Sequence, residues 1–291
     1  MFRKWGFHLL LVVMIVSACA PSQPKDHAPA EKNIPVVRKI PKIDHIVIVV
    51  EENHSQKTIE GNPSAPYINS LMKQGANFTN FHAIEHPSQP NYLDLFSGSN
   101  QGVTNDKVPK TNFSTDNLAS ELIAKNYSFV GYSEDLPSTG FNGASTGLGG
   151  YARKHNPWVN FTNVPKEVNQ PLTNFPKDFT KLPTVSFVIP NLRNDVHDGT
   201  IKEADDWLKE QIDPYVQWAK NHNSLLIVTW DEDDFSQDNK IATFFVGPMV
   251  KMGQFDEKLN HYNLLRTLED LYGLAHAGES KTVEPVMSIW K

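Results

Sequence analysis

Residues 43–50 read IDHIVIVV, a nearly unbroken run of β-branched hydrophobes that stops at Glu51, Glu52, Asn53 and His54. A strand with one wet face alternates apolar and polar residues. A run that is apolar at both parities must be covered on both faces, as in the middle of a parallel sheet. VSFVI at 185–189 and LLIVT at 225–229 repeat the pattern, the first running into Pro190 and Asn191, the second into Trp230, Asp231 and Glu232. YSFVGY at 127–132 and residues 241–246 predict two more strands.

Helical patterns lie between these runs. SAPYINSLMKQG at 64–75 reads as a helix capped at Ser64 and stopped by Gly75. Residues 117–125 gather Leu118, Leu122 and Ile123 on one face, and Thr200 with Glu203 forms a capping box. Pro214 is expected to start a second helical piece, and His261–Leu271 is closed by Gly273. Alternating buried strands and amphipathic helices predict an α/β fold, with a mostly parallel central sheet sandwiched by helices. Residues 133–182, rich in Gly, Asn, Pro and Ser, read as a long loop or small lobe over the sheet, carrying His155.

In such sheets ligands bind at the carboxyl ends of the strands. There the sequence places Glu52 with Asn53, Asn191 through Asp195 to His197, and Asp231 with Glu232. Carboxylates gathered on one edge repel one another and raise each other's proton affinity, which a divalent cation relieves. Mostly oxygen donors favour Ca²⁺, Mg²⁺ or Mn²⁺, with Zn²⁺ also compatible. Near this edge comes HPSQPNYLDLFSG, residues 86–98. Pro90 suits the first position of a helix and Gly98 its end, so Ser88 stands at a helix mouth that attracts anions. Taken alone, Ser88 is better explained as a helix cap. A metal beside it would make it a nucleophile toward phosphate. His197 reads either as a ligand or general acid or as a turn histidine, and His261 either as a neutral ligand or as a capping residue. Chemistry alone assigns His155 little.

The chain has 291 residues, 39% of them hydrophobic, enough for one large domain with a real core. Its net charge of −6 comes without a basic block, so nothing points to nucleic acid. MFRKWGFHLLLVVMIVSACA opens the chain with basic residues 3 and 4, an apolar run to Val16, then Ser17 and Ala18 before Cys19. It resembles a bacterial lipoprotein signal. The expected layout is a signal at 1–18, a lipidated Cys19 with a proline-rich tether to 42, and a catalytic domain at 43–291. The protein is expected to be a monomer, exported and held at the membrane by its lipid. Cys19 is the sole cysteine, so no intramolecular disulfide can form.

APYINSLMKQGANFTNFHAIEHPSQPNYLDLFSG looks like the helix, strand and nucleophile loop of the alkaline phosphatase superfamily. VVEENHS, HPSQPNYLDLFSG, YARKHNPW, FVIPNLRNDVHDG, VTWDEDD and NHYNLLRTLEDLYG, in that order, resemble the bacterial and fungal acid phosphatase and phospholipase C type phosphoesterase family. The resemblance implies an alkaline-phosphatase-like fold, Ser88 as nucleophile, and Glu52, Asn53, Asp231 and Glu232 as metal ligands. It implies that Asn191, Asp195 and His197 fall in the middle ligand cluster, that His155 and His261 match family histidines, and that Asn91 lies close to the nucleophile. Ser88-Gln89-Pro90-Asn91 is followed by Tyr92 rather than by the arginine a sulfatase needs. Phospholipase C members of the family commonly carry longer insertions and extra C-terminal domains, which this protein is expected to lack. The expectation is therefore a phosphomonoesterase acting on a small phosphorylated substrate, with a phospholipase C-like phosphodiesterase and a non-catalytic ligand-binding lipoprotein as alternatives.

Overall fold

The computed structural model describes residues 41–291, with residues 1, 2 and 6. Cys19 and nearly all of the expected signal and tether lie outside the described residues. All elements belong to one unit, Arg38–Lys291. In chain order they are β1 (His45–Glu51), α1 (Gln56–Ile59), α2 (Pro66–Gln74), β2 (Ala76–Phe78), β3 (Phe81–His82), α3 (Ser88–Ser97) and α4 (Leu118–Ala124). There follow β4 (Phe129–Ser133), β5 (Asn169–Pro171), β6 (Val185–Ile189), α5 (Ile201–Ala219), β7 (Ser224–Trp230), β8 (Thr243–Val246), β9 (Gly253–Phe255), β10 (Leu259–Asn260) and α6 (His261–Tyr272). Among the described residues no helix is long and apolar enough to cross a membrane.

The main sheet has the order β5-β4-β6-β1-β7-β8-β2-β9, and within it β8 alone runs against the rest. The predicted mostly parallel sheet is thus present. β1 lies at its centre between β6 and β7, and Ile46, Val47, Ile48 and Val49 are fully buried. Each such side chain contributes roughly 1.5–3 kcal/mol on burial, which is why the run cannot sit at an edge. Helices α2 and α5 pack together, as do α3, α4 and α6.

Register positions the chemistry. Ile48 is level with Phe187 of β6 and Ile227 of β7, and Glu51 is level with Trp230. One step further along both strands, Glu52 and Asp231 leave the sheet side by side. Successive side chains point to opposite faces. Glu52 therefore shares the face of Phe187, whose ring meets Phe96 of α3 edge-on at 6.3 Å. Gly131 of β4 lies level with Phe187 on that face. A Cβ there would come within 2.1 Å of the Trp158 ring, so only glycine admits the indole.

Three local expectations change. Ser64 does not cap α2; Ala65 holds the cap position, and the Asp205 carboxylate of α5 receives the Tyr67 and Ile68 N–H groups at 3.1 and 2.7 Å. A carboxylate at a helix N-terminus satisfies orphan donors and complements the dipole, so a distant residue replaces the local serine. Pro214 does not restart a helix but sits inside a continuous α5. The apolar face of Leu208, Ile212, Tyr215 and Val216 runs through it and is buried, and that packing outweighs the roughly 3 kcal/mol an internal proline costs. Residues 133–182 hold short 3₁₀ turns and also add β5 to the edge of the sheet.

Candidate active site

Helix α3 begins at Ser88, with Pro87 at the cap and Pro90 inside the first turn; Gly98 ends it in the left-handed conformation at φ 65°. Ser88 does not cap the helix with its side chain. Its Oγ instead donates to Glu52 Oε2 at 3.0 Å and lies 3.4 Å from Glu232 Oε1. Lys154 Nζ donates to Ser88 Oγ at 3.3 Å and to Asp106 Oδ2 at 3.1 Å. Ser88 is buried, 1% exposed, so its hydroxyl is held by these groups rather than by bulk water.

Glu52 divides its two oxygens. Oε2 faces Ser88, while Oε1 pairs with His155 Nε2 at 2.7 Å. His155 Nδ1 reaches Asp195 Oδ2 at 3.4 Å, and its ring stacks on Tyr92 of α3 at 4.9 Å. Burial would discharge His155, but Glu52 and Asp195 hold its proton up to about 9. Burial would likewise raise Glu52, yet His155 and then Lys154 hold it down to about 2. Asp195 is raised to about 6, chiefly by burial. Its backbone is fixed on both sides, with its carbonyl accepting Glu52 N–H at 2.8 Å and its Oδ1 accepting His197 N–H at 2.8 Å. Buried Val196 between them adopts φ 79°, a conformation β-branched residues rarely take.

Asp231 and Glu232 complete the cluster from β7. Asp231 Oδ1 accepts the N–H groups of Asn53 at 3.0 Å and Glu232 at 2.6 Å, leaving buried Oδ2 without a partner. Burial and neighbouring Glu52 push both carboxyls up, Glu232 to about 8. Asn53, at φ 48°, turns its amide inward to within 3.2 Å of Glu52 Oε2 and 2.9 Å of Glu232 Oε1. With its nitrogen inward, the amide donates to both carboxylates. The orphan Asp231 oxygen and the raised carboxyls beside a buried serine are what a divalent ion would fit. Glu52, His155 and Asp195 can also bring one ligand atom each within 4.8 Å of the others. The donor set suits a hard or borderline ion and does not select among Ca²⁺, Mg²⁺, Mn²⁺ and Zn²⁺.

The other sequence candidates divide. Asn91 accepts Ile84 and Glu85 N–H at 3.0 and 3.1 Å, fixing the loop before Ser88, and approaches Glu232 Oε2 at 3.4 Å. His261 is the first residue of α6 and is buried. Its Nε2 meets the Asp231 carbonyl at 2.8 Å, and burial keeps the ring neutral by lowering its pKa to about 4. His197 is not brought into the cluster; its ring pairs with Asp198 at 2.8 Å on the half-exposed surface, and only its backbone N–H reaches Asp195. Asn191 also stays outside, donating to Asp135 Oδ2 at 2.7 Å. Both sit on a turn that leaves the sheet edge after Pro190, and each finds a carboxylate partner there.

Three contributors were not singled out from the sequence. Lys154 and Asp106 lie in stretches without periodicity, though Lys154 stands next to His155 in YARKHNPW. His86, which opens HPSQPNY, pairs with Glu232 Oε2 at 2.8 Å and Asp233 Oδ1 at 3.4 Å, and stacks on exposed Phe235 at 3.9 Å. A surface cleft of about 640 Å³ lies elsewhere, lined by Glu60, Asn69, Lys73 and Gln254. The cluster closes on its own polar partners instead.

Comparisons with known proteins bear on the family and the fold. The chain is 50% identical over 253 residues to a phosphatidylinositol-3-phosphatase of Mycobacterium tuberculosis, covering 86% of this chain and 84% of that one. It is 34% identical to a phosphate-repressible acid phosphatase of Penicillium chrysogenum over 72% of this chain, and spans 55% of that longer protein. The fold is similar to a crystal structure of an alkaline phosphatase superfamily protein from Vibrio parahaemolyticus, with TM-score 0.60, 15% identity, and coverage of 84% of this chain and 71% of the other. The family model described as the phosphoesterase family matches residues 62–275, a span running from α2 through α6. The chain therefore belongs to the phosphoesterase family, and it is a hydrolase acting on phosphoric ester bonds.

Proposed function

We propose that this protein is a metal-dependent phosphomonoesterase that forms a phosphoserine on Ser88. The observation that carries the reading is the buried Ser88 hydroxyl set between Glu52 and Glu232, with Lys154 on a further side. Ser88 Oγ attacks phosphorus as the phosphorus–ester oxygen bond breaks, the seryl proton passing to water and the ester oxygen leaving with the bonding pair to be protonated by water. Water then attacks the phosphoserine and releases phosphate. Glu52, Asn53, Asp231 and Glu232 are the residues proposed to hold a divalent ion, which when bound would polarise the phosphoryl oxygens and lower the serine pKa. His155 orients Glu52, and Asn91 holds the loop that presents Ser88.

The mycobacterial relative makes a phosphoinositide the first substrate to try, and the fungal acid phosphatases make small monoesters the second. For placement we propose export and lipid attachment at Cys19, which loss of membrane retention in Cys19→Ser would test. The main experiment compares wild type with Ser88→Ala on p-nitrophenyl phosphate, bis-p-nitrophenyl phosphate and phosphatidylinositol 3-phosphate vesicles, before and after chelation and with each metal restored. Monoester turnover that needs metal and drops at least about 10³-fold in Ser88→Ala is expected. Full turnover in Ser88→Ala refutes the covalent route, and cleavage of the diester alone makes the enzyme a phosphodiesterase.

A further inference from the structure

Lys154 has no part in the metal cluster, yet it is the one cation in contact with the Ser88 oxygen among the described residues. Its Nζ is 3.3 Å from Ser88 Oγ and 3.1 Å from Asp106 Oδ2, with the side chain only 14% exposed. A lysine that served only as a surface ion-pair partner would place its ammonium in water, since exposed pairs add at most about 1 kcal/mol. Here the ammonium is drawn inward onto a buried hydroxyl. The 3₁₀ turn Arg153–His155 carries both Lys154 and His155, and Trp158 anchors the following turn in the face packed on Gly131.

We propose that Lys154 is a catalytic residue that stabilises the phosphoryl group during transfer, and that Asp106 positions it. The assignment rests on the phosphoserine reading given above. In an in-line displacement the leaving oxygen departs on the far side of phosphorus from the attacking oxygen. A cation 3.3 Å from Ser88 Oγ therefore lies beside the nucleophile and the non-bridging oxygens, away from the leaving group. As the Oγ–phosphorus bond forms and the ester bond breaks, the ester oxygen keeps the bonding pair and takes its proton from water. Negative charge is shared by the three non-bridging oxygens, one of which Lys154 Nζ meets. The ammonium keeps its proton throughout. Asp106 Oδ1 also accepts the Gln89 N–H at 3.0 Å, so the same carboxylate ties the lysine to the first turn of α3.

The test compares Lys154→Met, Lys154→Arg, Asp106→Asn and Ser88→Ala on p-nitrophenyl phosphate and on an alkyl phosphate, with inhibition by inorganic phosphate measured alongside. Losing one such donor costs about 10²–10³-fold in rate. Lys154→Met is expected to lose that much on both substrates by the same factor, with weaker phosphate inhibition, Lys154→Arg is expected to recover part of it, and Asp106→Asn to lose less. A much larger loss on the alkyl ester would make Lys154 the leaving-group acid and overturn the assignment. Unchanged turnover with a lowered Tm would reduce it to a structural ion pair and also overturn it. If Ser88→Ala keeps full activity, the covalent reading fails instead, so the two failures are distinguishable.

Discussion

Glu51 and Glu52 are consecutive residues with the same side chain, yet they leave β1 on opposite faces of the sheet. Glu52 enters the polar cluster, where Oε2 accepts the Ser88 hydroxyl, Oε1 is ion-paired with His155, and its charge is kept. Glu51 turns to the other face, fully buried, with neither oxygen hydrogen-bonded. Burial, then Asp195, Glu134, Glu52 and Asp205, push its pKa well above the usual carboxylate value, which favours its neutral form. One step along a strand thus separates a charged working group from a silent acid.

The comparison breaks first at Glu52. Glu52→Gln keeps the shape but removes the charge that holds Ser88 and His155, and a fall in kcat of about 10³-fold is expected in steady-state assays. Glu51→Gln replaces one neutral group by another and should leave kcat near wild type, with Tm shifted by no more than about 2–4 °C. Equal losses in the two variants would erase the distinction between the faces. His155→Asn probes how far orientation matters. It leaves Glu52 in place without its 2.7 Å partner, and a loss of about 10–100-fold is expected in activity or in apparent metal affinity from a titration of the apo-protein.

The smallest effect sharpens the same contrast within α3. Asp94, six positions after Ser88, is raised to about 8, mainly by burial, with the Tyr262 hydroxyl at 2.9 Å opposing the shift. Its folded pKa exceeds its unfolded value near 3.8, so the folded state retains a proton that the unfolded state releases. Stability is therefore highest at acid pH and declines as pH rises from about 4 to about 8. Asp94→Asn should flatten that decline in urea titrations across the range, with little change at pH 4. An undiminished slope would mean that Asp94 ionises freely.

Much of this was legible in the sequence because strand burial and strand ends follow from local pattern. The run at 43–50 could lie only inside the sheet, and the acids after residues 50 and 230 had to emerge on its carboxyl edge. Less legible were features whose partners are remote. The cap of α2 comes from Asp205 on α5, and the continuity of α5 through Pro214 comes from packing. The reversed direction of β8 and the pairing of β5 depend on loops with no periodicity. Ser88 was ambiguous alone, since a helix cap and a nucleophile share one local signature. His197 stood in a promising motif, but its ring found Asp198 next to it. Lys154 and Asp106 come together only because the segment before β5 folds back over α3, which no spacing encodes.

The indole of Trp158 fills the place where any residue but glycine at 131 would put its Cβ. The core and the chemistry consequently share a wall. Trp158 sits just beyond the turn bearing Lys154 and His155, so a methyl group added at 131 pushes against the backbone that aims Lys154 at Ser88 and His155 at Glu52. Such a change, buried in the sheet and remote from phosphate, would reveal itself through slowed turnover as much as through lost stability. It marks one position where the interior of the protein acts as a set-screw on its candidate active site.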